Sequence, residues 1–325
     1  MTAGATKVAV IGAGWWGREH ARAYAEHRYA DLVAVVARTR GRAASRTQRC
    51  GSRPYTDITE MLDAERPDLV SVCLPSTAHF EPTLRLLEAG VPLVVENPLT
   101  FDLEEADRLR VAAADRSLFF AIVFNHRFAR TVELARDALD SGRVGEIKVV
   151  SWRFGGEGST EHHPYANLIE TQCHAIDLLE LLCGPIEAVA AEMTDPATSL
   201  VLALRFASGA VGSLVGTYDA SYAHRRSQTL EIVGRGGRVT IDDTVARFSY
   251  QPSGDETEQV WQAGYFNDGD RRFTGTFDRY VDATLRAFRA GEAPPVPATA
   301  GRRALAVGLA AIKSSETGRR VRIAP

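Results

Sequence analysis

Three observations predict an α/β chain of two domains, a doubly wound parallel sheet followed by a second α/β domain on an open, mainly antiparallel sheet. The first is the N-terminal stretch Lys7-Val8-Ala9-Val10-Ile11-Gly12-Ala13-Gly14-Trp15-Trp16-Gly17, where an apolar run of strand length enters a glycine turn and a helix-compatible segment follows from Arg18. The second is the alternation of short apolar strands with helical stretches up to about residue 124, the pattern of a parallel sheet covered on both faces. The third is a run of strands with short turns and no intervening helices between Ile186 and Ile241, which implies antiparallel pairing.

The glycine turn carries the first functional reading. Gly12 permits the tight strand-to-helix turn, Gly14 lets backbone approach a pyrophosphate, and Gly17 lets the helix lie close on the strand. The new helix directs unpaired N–H groups and its positive dipole end at phosphates, so the first domain, residues 1–124, reads as a dinucleotide-binding Rossmann domain. Within it the strands are expected at 32–37, 68–74, 92–96 and 118–124. Asp57-x-x-Glu60 and Asp102-x-x-Glu105 are capping patterns that open helices, and Gly90 closes the helix from about Phe80. The remainder, 125–325, is expected to form a second domain built on an open sheet. It comprises a helix near 130–141, a strand at 146–154, one helix over 167–183 stopped by Gly184-Pro185, the strand run, and two closing helices near 273–289 and 300–316. The last of these is expected to pack back toward the first domain.

Composition sets the outer bounds. With 45% hydrophobic and 24% charged residues and a net charge of −3, the chain reads as soluble and globular, with no electrostatic case for nucleic acid or an anionic membrane surface. No apolar run spans a membrane, and the first residues do not read as a signal peptide, so a cytoplasmic protein is expected. Cys50, Cys73, Cys173 and Cys183 lack metal or C-x-x-C spacing and read as reduced thiols. Lysine occurs only at Lys7, Lys148 and Lys313, which with the abundant alanine points to a GC-rich bacterial source.

The end of the second strand selects the dinucleotide. An acidic residue there ordinarily binds the ribose 2′-hydroxyl, whereas this chain has Ala37-Arg38-Thr39-Arg40. Arg38, helped by Thr39, can stack on adenine and pair with a 2′-phosphate, so NADP(H) is favoured over NAD(H).

A second cluster carries the chemistry. Leu74-Pro75-Ser76-Thr77-Ala78-His79 and Val95-Glu96-Asn97-Pro98 end neighbouring strands at the carboxyl edge where such sheets bind ligands. Glu170-x-x-x-His174-x-x-Asp177 places three ionisable groups at i, i+4 and i+7, one face of an α-helix. An imidazole beside a carboxylate suits proton transfer near neutrality. A metal site in the ligand-rich stretch His162, His163, Glu170, Cys173 and His174 is disfavoured, because adjacent Cys173 and His174 point about 100° apart on a helix.

In this order the motifs Gly12-x-Gly14-x-x-Gly17, Leu74-Pro75-Ser76-x-x-His79, Glu96-x-Pro98, Asn125-x-Arg127-Phe128 and His174-x-x-Asp177 resemble the Gfo/Idh/MocA oxidoreductases, relatives of glucose–fructose oxidoreductase and inositol dehydrogenase. The resemblance covers nearly the whole chain. It implies hydride transfer between a nicotinamide and a carbon bearing an alcohol, ketone or imine, commonly on a sugar, cyclitol or nucleotide sugar, and a homo-oligomer formed through the open sheet. It implies cofactor binding by Gly12, Gly14, Trp15, Trp16, Gly17, Arg38, Thr39, Leu74, Pro75, Ser76, His79, Glu96 and Asn97. His174 is the implied acid/base, Glu170 its orienting or hydroxyl-binding neighbour, and Asn97 a positioning group. Asn125, Arg127, Tyr165, His162 and Asp177 are the implied substrate residues. Two positions depart from the family pattern: Asn97 stands where lysine is usual, and Glu170 where aspartate is usual. Asparagine hydrogen-bonds a hydroxyl but donates no proton. Alternative readings are an imine reductase of a biosynthetic pathway and a cofactor-binding sensor or regulatory subunit with reduced turnover.

Overall fold

The computed structural model describes residues 4–47 and 51–323, so Cys50 lies outside the described residues. The chain divides into two compact units, one running to Val123 and including Asp278–Arg302, the other comprising Phe124–Phe277 and the residues from 303 onward. Residues 278–302, grouped with the second domain on sequence grounds, thus cluster with the first unit.

The first unit alternates β1 (Thr6–Ile11), α1 (Trp15–Glu26), β2 (Ala30–Val36), α2 (Arg40–Thr47), β3 (Arg53–Tyr55), α3 (Ile58–Glu65), β4 (Leu69–Val72), α4 (Phe80–Glu88), β5 (Leu93–Val95), α5 (Leu103–Ala114) and β6 (Phe120–Ile122). All pairings are parallel in the order β3-β2-β1-β4-β5-β6, so the strand order reverses between β1 and β4. Val8, Ala9, Val10, Leu69, Val70 and Val72 are fully buried, as a sheet covered on both faces requires. The two capping patterns form as the sequence implies: the Asp57 carboxylate accepts from the Glu60 N–H, and Asp102 accepts from the N–H groups of Glu104 and Glu105. The edge of β6 is covered by the returning segment, where Ile122 N–H donates to Val296 O at 3.0 Å and Ala121 bridges Pro297. Tyr280, from the same segment, is buried and donates to Ile122 O at 3.0 Å. Covering an edge in this way removes a row of unpaired backbone groups.

The second unit contains α6 (Arg130–Asp140), β7 (Ile147–Gly155), a π-helical turn at Asn167–Thr171, α7 (Cys173–Cys183), β8 (Ile186–Met193), β9 (Ser199–Phe206), β10 (Val211–Thr217), β11 (Gln228–Gly234), β12 (Gly237–Asp242), β13 (Arg247–Pro252) and β14 (Gln259–Gln262). After α8 (Asp268–Arg271) come α9 (Phe273–Ala290), α10 (Ala298–Thr317) and β15 (Val321–Arg322), α9 and α10 each contributing residues to both units. The nine strands order as β14-β13-β12-β11-β7-β10-β9-β8-β15, and every pair is antiparallel except β7 with β10. The strands β3, β13, β14 and β15 and the helices α2 and α8 have no counterpart among the elements that the sequence predicts. Along β9, Leu200, Leu202, Leu204 and Phe206 are buried while Val201, Ala203 and Arg205 between them are exposed. α6 packs on β12 and β13, and α7 on β7. The other face of the sheet leaves Val149, Val201 and Val211 exposed. Among the described residues no helix is long and apolar enough to cross a membrane.

Candidate functional site

The glycine turn of the first unit is constrained at two of its three glycines by direct contact. Gly12 has φ +118°, and a Cβ there would lie 2.1 Å from Cys73 O; a Cβ on Gly17 would lie 2.1 Å from Gly12 O. Any side chain at either position would force β1, β4 and α1 apart. Gly14 differs. It is exposed, a Cβ there would meet nothing within 4 Å, and as the N-cap of α1 it supplies no side-chain hydrogen bond to the first turn. The N–H groups of that turn are therefore not claimed by a capping side chain, and the absent Cβ leaves the approach open, which fits a pyrophosphate. Trp15 is 51% exposed, with its ring centroid 4.5 Å from that of Trp16. The Arg46 guanidinium, on α2, donates to Ala13 O through Nε at 3.3 Å and Nη2 at 3.2 Å, which ties the turn to α2.

Arg38 and Thr39 stand exposed at the end of β2, where the Thr39 hydroxyl accepts from Arg42 N–H at 3.4 Å. No carboxylate occupies the strand end.

Beyond β4 and β5 the predicted cofactor residues fall into two groups. Pro75 is exposed and Leu74 and Ser76 half-buried, in a turn leading to α4. His79 is 1% exposed, and its ring spans two backbone carbonyls, Nδ1 lying 2.7 Å from Pro98 O and Nε2 2.9 Å from Leu74 O. The imidazole thus pins together the chain ends following both strands. Glu96 is likewise buried, its Oε1 2.7 Å from Nε2 of His20 on α1. The half-buried Asn97 donates from Nδ2 to Val123 O at 3.3 Å. His79 and Glu96 thus direct polar atoms inward, and they hold the ends of β4 and β5 to each other and to α1.

The second unit holds the imidazole. The expected single helix over 167–183 is two segments: Gln172 N–H donates to Asn167 O in a π turn, and regular α-helix begins at Cys173. The π turn interrupts the single α-helix over which the Glu170-to-His174 spacing is read. Glu170 Oε1 lies 2.9 Å from His162 Nε2. Tyr165 donates to Glu316 at 3.3 Å, and Tyr218 and Thr171 share a hydroxyl hydrogen bond of 2.7 Å. Asp177 and Arg127, both predicted to meet substrate, meet each other: Nε donates to Oδ2 at 2.7 Å and Nη2 to Oδ1 at 2.5 Å. Burial pushes the Asp177 carboxyl above its usual range, against the pull of the guanidinium. Asn125, 1% exposed, donates to the Thr276 hydroxyl at 2.7 Å.

His174 is 9% exposed, and desolvation pulls its pKa down to about 4, so the ring is a neutral base at pH 7. On one face lies the His126 imidazole, stacked at 4.2 Å with an 11° interplanar angle; the Phe124 ring meets His174 edge-on at 5.6 Å. Burial also lowers the His126 pKa, with His174 as the second cause. His126 further lines a cavity of about 640 Å³ with Phe154, Tyr222, Arg225, Gln228 and Phe273 among its walls. The Tyr222 and Tyr218 rings lie over Gly156 and Gly158, where a Cβ would approach them to 2.3 and 2.6 Å, so these glycines admit the tyrosines.

His20, Arg46 and His126 are not among the residues to which the sequence motifs point. His126 occupies the variable place inside Asn125-x-Arg127, where nothing local distinguishes it. His20 follows the glycine turn by one helical turn, a spacing that offered a weak signal.

Two family descriptions match in sequence order. Residues 6–124 match the oxidoreductase family with NAD-binding Rossmann fold, and residues 132–240 match the GFO/IDH/MocA C-terminal domain. The D-glucoside 3-dehydrogenase of Escherichia coli (strain K12) is 35% identical over 155 residues, which is 47% of this chain and 44% of that protein. The alignment therefore spans less than half of that relative. The myo-inositol 2-dehydrogenase of Thermotoga maritima is 25% identical over 340 aligned positions, covering 98% of both proteins. In fold, the WlbA dehydrogenase from Bordetella pertussis, solved with NADH and UDP-GlcNAcA, is similar with a TM-score of 0.83 at 22% identity, covering 100% of this chain and 99% of that one. With both halves matched in this order, the chain belongs to the GFO/IDH/MocA oxidoreductase family, whose NAD-binding Rossmann fold and C-terminal domain it carries.

Proposed function

We propose that the protein is an NADP(H)-dependent dehydrogenase of a sugar, nucleotide sugar or cyclitol, interconverting a secondary alcohol and its ketone, with His174 as the acid/base group. The observation that carries this reading is the buried, neutral His174 imidazole in a chain of this family. A nicotinamide supplies one half of the chemistry, taking or giving a hydride at the substrate carbon. In the oxidative direction the neutral ring of His174 accepts the hydroxyl proton, and the resulting imidazolium returns it in reduction. Asn97 contributes a hydrogen-bond donor but no proton. Glu170, with His162, binds a substrate hydroxyl; Arg127 holds Asp177, and Asn125 and Tyr165 complete the polar surroundings. The cavity of about 640 Å³ bordered by His126, the ring stacked on His174, is of the size that takes a small molecule.

Arg38 and Thr39, with no carboxylate at the strand end, support NADP(H) over NAD(H). Gly12, Gly14, Trp15, Trp16 and Gly17 form the pyrophosphate end, and Leu74, Pro75 and Ser76 the wall beyond β4. His79, Glu96 and Asn97 hold that wall in place. The named relatives are dehydrogenases, which favours the alcohol–ketone reading over imine reduction or a sensor. Exposed Val149, Val201 and Val211 on the open sheet support a homo-oligomer through that face, which light scattering tests directly.

The deciding experiment is absorbance-monitored reduction of NADP⁺ and NAD⁺ with D-glucosides and myo-inositol, in wild type and His174→Ala. Turnover that persists in the variant rules out His174 as the acid/base. A higher kcat/KM with NAD⁺ rules out the 2′-phosphate assignment.

A further inference from the structure

We infer that His126 is a positioning residue for His174, a flat plate that fixes the plane of the catalytic imidazole. The inference rests on the reading of His174 as the acid/base group. The geometry is a row of four rings. Phe273 meets His126 edge-on at 5.1 Å and 84°, His126 stacks on His174 at 4.2 Å and 11°, and Phe124 meets His174 edge-on at 5.6 Å and 72°. All of these rings except Phe273 are nearly inaccessible to solvent.

An imidazole that exchanges a proton with a substrate oxygen must present one nitrogen along a defined direction. Rotation about the bond from Cβ to the ring is soft for histidine, so torsional preference alone does not fix the ring plane. A parallel ring at 4.2 Å does so sterically, because turning His174 about that bond would drive its edge into the face of His126. Phe124 supplies a second contact.

Two features indicate that His126 acts as a plate rather than as a proton carrier. Its Nδ1 is buried and has no hydrogen-bond partner among the described residues, so no bond at that nitrogen orients it and the flat contacts do. Burial also keeps it uncharged, which lets His174 become imidazolium during turnover without a like charge stacked on it. A stacked neutral π face against a transient cation is itself favourable. The place of His126 between Asn125 and Arg127 fits this duty: Asn125 is tied to Thr276 and Arg127 to Asp177, on the same helix as His174, so the short segment is anchored on both sides of the plate.

The test compares His126→Phe, which keeps a flat ring, with His126→Leu, which keeps bulk but not planarity, and with His174→Ala. Two readouts are taken: kcat and KM for the glucoside or cyclitol turned over, and the ¹H shifts of the His174 ring in protein carrying ¹³C-labelled histidine. Expected for His126→Leu is a kcat loss on the order of 10²-fold with KM changed by less than about threefold, the signature of misplaced chemistry rather than lost binding. His126→Phe retains at least about one third of kcat on the same reasoning. The His174 ring protons lie upfield in wild type and His126→Phe and move downfield in His126→Leu. Wild-type kcat in His126→Leu, equal losses in the two variants, or His174 shifts that are the same in all three proteins overturn the inference. Persistence of turnover in His174→Ala overturns the acid/base reading and this inference with it. Abolished turnover there, beside an unaffected His126→Leu, overturns this inference alone. The shifts decide the positioning question whichever sugar is the substrate.

Discussion

Acidification should destabilise the protein through His174 by an amount that can be worked from its burial. The ring titrates near 6.5 when exposed and near 4 in the fold, because desolvation disfavours its charged form. Between those values the unfolded chain binds a proton that the folded one does not, so stability falls as pH drops from about 6.5 toward 4 and is fully present above that window. The full difference corresponds to about 3 kcal/mol, and the part lost between pH 7.5 and pH 5 is about 2 kcal/mol. Urea unfolding of wild type and His174→Phe at both pH values isolates this contribution, since phenylalanine keeps a flat ring and removes the titration. The variant should lose about 2 kcal/mol less than wild type over the same interval. Equal losses in the two proteins would refute the reasoning, because His174 would then take up its proton as readily folded as unfolded, and a buried neutral base would no longer describe it.

Further outcomes follow from single contacts. Gly12→Ala places a methyl group 2.1 Å from Cys73 O at φ +118°, so thermal melting should report a loss of at least ~3 kcal/mol. Gly14→Ala meets no protein atom, and should leave the melting temperature nearly unchanged while weakening dinucleotide binding at least ~10-fold in a fluorescence titration. Arg38→Ala should weaken NADPH binding by about 10- to 100-fold and NADH binding little, the scale of a hydrogen bond to a charged group. Asp177→Asn removes the bidentate partner of a mostly buried Arg127, and chemical denaturation should show a cost of about 3 kcal/mol.

How far the sequence could be read depended on whether the relevant interaction is local. The caps at Asp57 and Asp102 were legible because acceptor and donors lie within three residues of each other. The glycine turn was legible because its constraint is a backbone conformation next to a strand. Glu170 was harder. Its spacing to His174 assumes an unbroken α-helix, and the π turn at 167–171 that interrupts the helix depends on packing: Asn167 donates to Thr198 O at 2.6 Å, and the Gln172 side chain donates to Asn167. The duties of His79 and Glu96 were hidden in the same way, since their partners lie 19 and 76 residues away.

The sequence by itself determined the parallel order of the first unit's elements, the glycine turn between β1 and α1, and the presence of an imidazole on a helix of the second unit. Periodicity, glycine placement and capping are all properties of neighbouring residues. Only the tertiary structure decided that residues 278–302 close the edge of the first sheet, that Arg127 and Asp177 pair with each other, and that His126 lies flat on His174. Each of these depends on which distant surfaces exclude water together, and burial of that kind sets both the pairing of charges and the basicity of the imidazole.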